Sequence, residues 1–395
     1  MSMTTPRASH CHYLLCVTAS AVGRNIYFIV VAWLMMKYTA DPSAIAMLLA
    51  AGSCAEFLTT NLGGVVTDRY RPQLTCLVCD GLRILTMAAA TAGMMSGYPV
   101  QSLVASWVLY AVLDRTYLTA LQAMIPGMVD AARLLSFNST AYVWMQIGNF
   151  CAAVAGGLLL AFTPDYLSLV APLSCFLLSF GSSIARREGY CDRRGNAEPV
   201  TFLRRELFPG LPQRSLVLPS VVYAFIYAAG MMVSVLGSAL VMGELRRSAL
   251  AFGFVEAGWA AGSVLGCLWL LFRSEKSDAL LWHLLATGVI LTNFLVFQNL
   301  FAVLLQMMGL GLTYNIARIL IDVEIQRSFP ISQLGRARSQ VHTVCMALSL
   351  SVYGVVALIG NALAPSVIFG WFGLVVLFTG VVFWACFRRD LLLVR

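Results

Sequence analysis

The chain has 395 residues, 59% of them hydrophobic and only 11% charged, with a net charge of +8. A soluble domain carries roughly 25% charged residues, so this composition excludes an ordinary water-soluble enzyme. It leaves room for about a dozen membrane spans of about 20 apolar residues each.

Apolar runs broken by polar punctuation predict helices near 12–36, 43–66, 74–95, 101–125, 139–162 and 165–185. A second set is predicted near 216–242, 249–272, 279–297, 299–323, 341–362 and 366–387. Prolines mark several of the ends: Pro42, Pro99, Pro126, Pro164, Pro330 and Pro365. The first run is too long for a cleavable leader and leads straight into the second span.

The longest hydrophilic stretch, 186–215, is rich in both signs of charge, including Arg186, Arg187, Asp192, Arg204 and Glu206. It divides the chain into an N-terminal six-helix bundle (1–185), a cytoplasmic linker (186–215) and a C-terminal six-helix bundle (216–395). Parallel halves of this kind are one way membrane transporters are built. Glu56 and Glu256 fall in equivalent spans of the two sets, each followed by a pair of glycines.

The positive charge is distributed by topology. Of the 26 Lys and Arg, 19 fall at the termini or in the loops after helices 2, 4, 6, 8 and 10. The other loops hold only Lys37, Arg246 and Arg247. Basic residues gather on the cytoplasmic side, so both termini are expected there, and no nucleic acid partner is expected. Most of the eleven cysteines lie in apolar spans and read as small hydrophobes. There is no P-loop or credible Ser-His-Asp order, so no metal, cofactor or enzyme activity is expected.

Ionisable residues inside spans are costly and mark function. Arg24, Glu56, Asp114, Arg115 and Glu256 are in that class, and Arg318 and Asp322 lie near the end of helix 10. A carboxyl whose proton affinity changes with hydration and with pairing to arginine can couple protons to transport. Glu56, Asp114 and Glu256 are the expected proton carriers. Arg24 and Arg115 would tune those acids or hold an anionic group of a substrate.

The segment after helix 2 reads Gly63-Gly64-Val65-Val66-Thr67-Asp68-Arg69-Tyr70-Arg71-Pro72. It resembles the signature loop of the major facilitator superfamily, Gly-x-x-x-Asp-Arg-x-Gly-Arg-Arg/Lys, matching at Gly64, Asp68 and Arg69 and departing at Arg71 and Pro72. Ser20 to Gly23, Ala32-Trp33 and Thr39 look like the first span of that superfamily's drug and siderophore exporter branch. That branch includes enterobactin and macrolide efflux proteins. Pro330 with Gly335-Arg336-Ala337-Arg338 is similar to its helix 10 loop. Gly148-x-x-x-Ala152-Ala153-x-x-Gly156-Gly157 looks like the exporter motif of helix 5, with alanines replacing its middle pair.

The resemblance implies an all-α membrane fold of twelve helices in two pseudo-symmetric halves, working by alternating access around a central cavity. Gly64, Asp68, Arg69, Asp80, Arg83, Gly335 and Arg336 would then form one gating cluster. Tyr27, Gln122, Gln146, Asn149 and Tyr227 would join Arg24 and Arg115 as substrate contacts. The expected function is proton-coupled export of a small anionic or zwitterionic molecule, a siderophore or metallophore first, across a bacterial inner membrane. A macrolide-type multidrug pump, an importer, and a non-transporting sensor of the same fold are the alternatives.

Overall fold

A computed structural model describes residues 6–39, 42–185, 214–247, 249–273, 279–359 and 363–393. These residues form twelve long α-helices, some with short 3₁₀ or π turns at their ends, and no strand. Nearly all of the expected 186–215 linker lies outside the described residues.

The first six helices are α1 (Pro6–Thr39), α2 (Pro42–Arg69), α3 (Pro72–Met95), α4 (Pro99–Ala123), α5 (Leu134–Phe162) and α6 (Val170–Ala185). The second six are α7 (Arg214–Ser238), α8 (Ala249–Phe272), α9 (Ala279–Thr292), α10 (Leu300–Ser328), α11 (Leu334–Ile359) and α12 (Pro365–Leu393). Helices α2, α3, α4 and α12 begin on prolines; the first turn tolerates the missing N–H and welcomes the fixed φ. Helix α3 ends where Gly97 adopts φ +88, a left-handed conformation open to glycine. Helices α5 and α11 begin at Leu134 and Leu334, before the expected 139 and 341. Polar residues interrupt their first two turns (Ser136, Asn138 and Ser139 in α5; Arg336, Arg338 and Ser339 in α11), and hydropathy marks the apolar stretch rather than the whole helix.

Among the described residues eight helical segments are apolar and long enough to cross a membrane by themselves, including Pro72–Met95, Leu300–Ser328 and Pro365–Ala385. Helix α4, with Asp114 and Arg115 in its middle, is not among them.

The chain divides into two compact units. The first is Met1–Gly210 with Ile325–Gln340, and so includes the end of α10 and the start of α11. In it α1 packs on α5 and α6, α3 on α4 and α6, and α2 on α4. The core holds Tyr27, Leu34, Met87, Leu103, Tyr110 and Phe176. Small residues set the α1–α5 distance: a Cβ on Gly148 would stand 2.9 Å from the Thr18 carbonyl, and Ala152 is fully buried.

The second unit is Leu211–Glu324 with Val341–Arg395. Here α9 packs on α12 and α7. Gly258, Gly262 and Gly266, one turn apart on α8, lie against the α10 backbone at Leu304, Met308 and Leu312. Such small-residue stripes let apolar helices approach closely. Each unit also ties its first helix to its last. Asp165, just before α6, accepts from Lys37 Nζ (2.8 Å) and Tyr38 Oη (2.9 Å) at the end of α1. Glu244, just after α7, accepts from the Ser366 backbone N–H (2.9 Å) and hydroxyl at the start of α12.

Candidate functional site

Two constellations in the first unit carry the chemistry. One surrounds Asp68 at the C-terminal end of α2. Its Oδ1 accepts from the backbone N–H of Gly335 at 2.7 Å. Its Oδ2 accepts from the backbone N–H of Arg336 at 2.9 Å and from Arg336 Nε at 3.0 Å. Gly335 and Arg336 belong to the first turn of α11, where N–H groups have no partner within the helix. Asp68 therefore caps a helix distant in sequence, and its negative charge suits the positive end of the helix dipole.

Two glycines permit this approach. A Cβ on Gly64 would stand 2.7 Å from the Gly335 carbonyl oxygen and collide with the Ser339 hydroxyl. One on Gly335 would meet the Gly64 carbonyl, Asp68 Oδ1 and Thr67. Burial pushes the Asp68 carboxyl up to about 6, against the three hydrogen bonds and the Arg336 charge, which pull it down. Arg69 is exposed and makes no hydrogen bond or ion pair among the described residues.

The other constellation is buried between α1, α3, α4 and α6. Arg83 is fully buried. It donates to Asp80 Oδ1 (3.0 Å), to Asp114 Oδ1 (2.6 Å) and to Ser20 Oγ (3.2 Å). Its guanidinium carbon lies 4.0 Å from the centre of the Tyr117 ring, a cation–π contact. The second Asp80 oxygen accepts from Ser179 Oγ at 2.7 Å, and the Ser179 and Tyr117 hydroxyls pair at 2.9 Å. Asp114 also accepts from Tyr110 Oη at 3.1 Å and faces Arg24 Nη1 at 3.9 Å. The Asp114 side chain is 13% exposed and that of Arg24 is 22% exposed. Asp114 thus stands between a sealed guanidinium and an accessible one.

The structure corrects one expected grouping. Asp80 and Arg83 do pair, but with Asp114 rather than with Asp68, because their side chains turn into the α1–α4–α6 interior. Arg24 also belongs to this network. Tyr27 is fully buried, donating to Ser106 Oγ at 2.8 Å and meeting Tyr110 edge-on at 4.7 Å; it is core rather than cavity wall. Gln122 is likewise buried. Its Nε2 donates to Tyr142 Oη, and its carbonyls accept from Gln326 Nε2 at 3.2 and 3.3 Å. Asn138 Nδ2 in turn donates to Gln326 Oε1 at 2.7 Å, so three amides form one buried knot.

Gln146 accepts from Asn149 Nδ2 at 2.7 Å, one turn along α5. Glu56 and Arg115 are half-buried on α2 and α4. In the second unit Tyr227 donates to Met346 Sδ at 3.9 Å, and Glu256 on α8 is exposed.

Sequence reading missed Tyr110, Ser179 and Gln326 as partners. Tyr110 carried a signal, since it precedes Asp114 by one helical turn on the same face. Ser179 and Gln326 carried none. Among the described residues no three His, Cys, Asp or Glu side chains gather as a metal site would require.

A bundle of membrane-length helices with a carboxylate capping a distant helix and ion pairs sealed in apolar surroundings defines a multi-pass membrane protein of transporter type. The sequence profile of the Major Facilitator Superfamily matches residues 13–345, and the chain belongs to that family. No curated protein sequence matches it.

Among solved structures it is similar to a bacterial homologue of the iron transporter ferroportin in an outward-facing state. The TM-score is 0.78 at 16% identity, over 96% of this chain and 99% of that one. It is also similar to the human organic anion transporter MFSD10 (TETRAN), with a TM-score of 0.73 at 12% identity, over 96% and 100% of the two chains. At such identities the likeness shows the fold.

Proposed function

We propose that the protein is a proton-coupled exporter of a small organic molecule bearing negative charge, a siderophore or related metallophore first, in a bacterial inner membrane with both termini cytoplasmic. The observation that carries this reading is the placing of Asp114 between Arg83 and Arg24. Arg83 stays sealed, so Asp114 keeps one partner throughout. Arg24, at 3.9 Å and partly exposed, is the partner that can be exchanged. A substrate anion that takes Arg24 leaves Asp114 with one counter-charge fewer, a place that a proton can fill. Protonation of Asp114 in turn releases Arg24 toward an anion.

Glu56, half-buried on α2, is the second candidate proton carrier. The cap between Asp68 and α11 is the gate on the cytoplasmic side, which must break for that side to open. The two similar structures are of an iron transporter homologue and of an organic anion transporter, and an anionic metallophore is in keeping with both.

The test is mass spectrometry of medium and cell extract in iron-poor culture. It compares a deletion strain carrying the wild-type gene, Asp114→Asn, or no gene. The expected result is an anionic compound that accumulates in cells of the deletion strain, returns to the medium with wild type, and does not return with Asp114→Asn. Identical profiles in all three strains would remove the export reading; full rescue by Asp114→Asn would remove the coupling site.

A further inference from the structure

The second unit holds an aromatic chain that the first unit's chemistry does not use. The Trp259 and Tyr314 rings lie 5.5 Å apart, Tyr314 and Tyr227 6.1 Å, and Tyr227 meets His342 edge-on at 5.8 Å. The four rings come from α8, α10, α7 and α11. Gly230 makes room for them: a Cβ there would stand 2.8 Å from the Tyr314 ring and 3.4 Å from the Trp259 ring. Trp259, Tyr314 and Tyr227 are only partly buried, so the chain of rings keeps accessible surface.

Glu256 stands one turn before Trp259 on α8, hence on the same helical face. At roughly 100° per residue, Glu256 falls within about 20° of Ser263 and Cys267 around the helix axis. Both of those are fully buried. It lies about 160–180° from Phe254 and Leu265, which are exposed on the outer side. The exposure of Glu256 is therefore toward the inner side of α8 and not toward lipid. Asp80 and Asp114 each accept from Arg83 and from a hydroxyl, whereas Glu256 has no hydrogen bond or ion pair among the described residues. An unpaired carboxylate on an apolar helix costs several kcal/mol unless water or a cation meets it.

We propose that the second unit carries a subsite for an organic cation, a protonated or quaternary amine, in which Glu256 supplies the charge and Trp259 and Tyr314 supply ring faces. Carboxylate and aromatic faces together recognise such groups, and each face adds to the attraction once the cation is desolvated. A site for a bare proton would gain nothing from the rings. Arg318 stands one turn beyond Tyr314 on α10, so the cationic group belongs at the Glu256 end. The inference builds on the transport reading and makes the substrate zwitterionic.

The test is calorimetric binding of benzyltrimethylammonium to the purified full chain, with neopentylbenzene as the neutral isostere. Wild type is expected to bind the cation and to prefer it over the isostere at least 10-fold. Glu256→Gln should abolish that preference, and Trp259→Phe should weaken cation binding two- to threefold, both with melting temperatures kept. Absence of binding to wild type, equal affinity for cation and isostere, or unchanged cation binding by Glu256→Gln would each overturn the proposal. Glu256-dependent binding in a protein that moves no compound in cells would retain the subsite and remove the exporter reading. Export that depends on Asp114 beside Glu256-independent binding would do the reverse.

Discussion

Replacing Asp68 by asparagine tests the cap most directly. The carboxylate accepts three hydrogen bonds, at 2.7, 2.9 and 3.0 Å. Asparagine keeps one acceptor oxygen. If that oxygen faces Arg336, the amide NH₂ is left against the Gly335 N–H, donor to donor, and the retained bond from the Arg336 N–H becomes neutral while that from its guanidinium keeps the donor's charge. Bonds to charged groups contribute about 1.5–3 kcal/mol each and neutral ones about 1. The net loss is therefore about 2–4 kcal/mol, or roughly 30- to 1,000-fold in the ratio of capped to uncapped α11, at 1.4 kcal/mol per factor of ten. Hydrogen–deuterium exchange reads it, because the Gly335 and Arg336 amides have no intrahelical acceptor to fall back on. Their protection should drop by at least about 30-fold in Asp68→Asn, while amides in the middle of α3 hold. Equal protection in both proteins would refute the account of Asp68 as the cap.

The same amides give a pH prediction. Burial pushes the Asp68 carboxyl up to about 6, outweighing the cap bonds and the Arg336 charge that pull it down, so the closure that buries it takes up a proton. The added stability is full below about 4 and is lost as pH rises through 6; a protonated carboxyl keeps its carbonyl acceptor and turns its hydrogen away, which the asparagine amide does not. Protection of Gly335, corrected for intrinsic exchange, should decline from pH 5 to 7 in wild type and stay flat in Asp68→Asn. Arg83→Met strands Asp80 and Asp114 without their buried counter-ion and should cost about 3–5 kcal/mol. Asp114→Asn leaves Arg83 with Asp80 and Ser20 and should cost less, so the reverse order in detergent melting would contradict the network. Tyr27→Phe removes one buried bond, to Ser106, and should cost about 0.5–1.5 kcal/mol with transport retained; transport lost at unchanged stability would return Tyr27 to the substrate path. Gln326→Leu breaks the amide knot with Gln122 and Asn138 and should lower stability by about 1–3 kcal/mol in denaturant titration.

How far the sequence could be read follows from what each signal encodes. The Asp68 segment was legible because its residue types lie together in one loop, and Pro330 with Gly335-Arg336 lies together in another. The Asp80–Arg83 pair was legible from its one-turn spacing, but its destination was not. Asp114 is separated from Arg83 by a whole connecting turn, and only the α3–α4–α6 packing selects it over Asp68. Tyr27 and Gln122 were expected at the cavity wall because their helices were expected there. In water an apolar stripe reveals the inward face of a helix. In a membrane the lipid face is apolar as well, so helix rotation is hidden, and with it the difference between Tyr27 as core and Glu256 as an inward-facing exposed acid. The segment 186–215 was legible as a linker by charge and lies almost wholly outside the described residues.

Gly64 and Gly335 face each other with room for neither to gain a side chain. Genetically they behave as one locus spread over two codons. An alanine at either position wedges the same gap, so a second alanine opposite finds that gap already open. The double variant should then lose little more than the worse single one, a diminishing-returns epistasis that distinguishes shared contact from two independent defects.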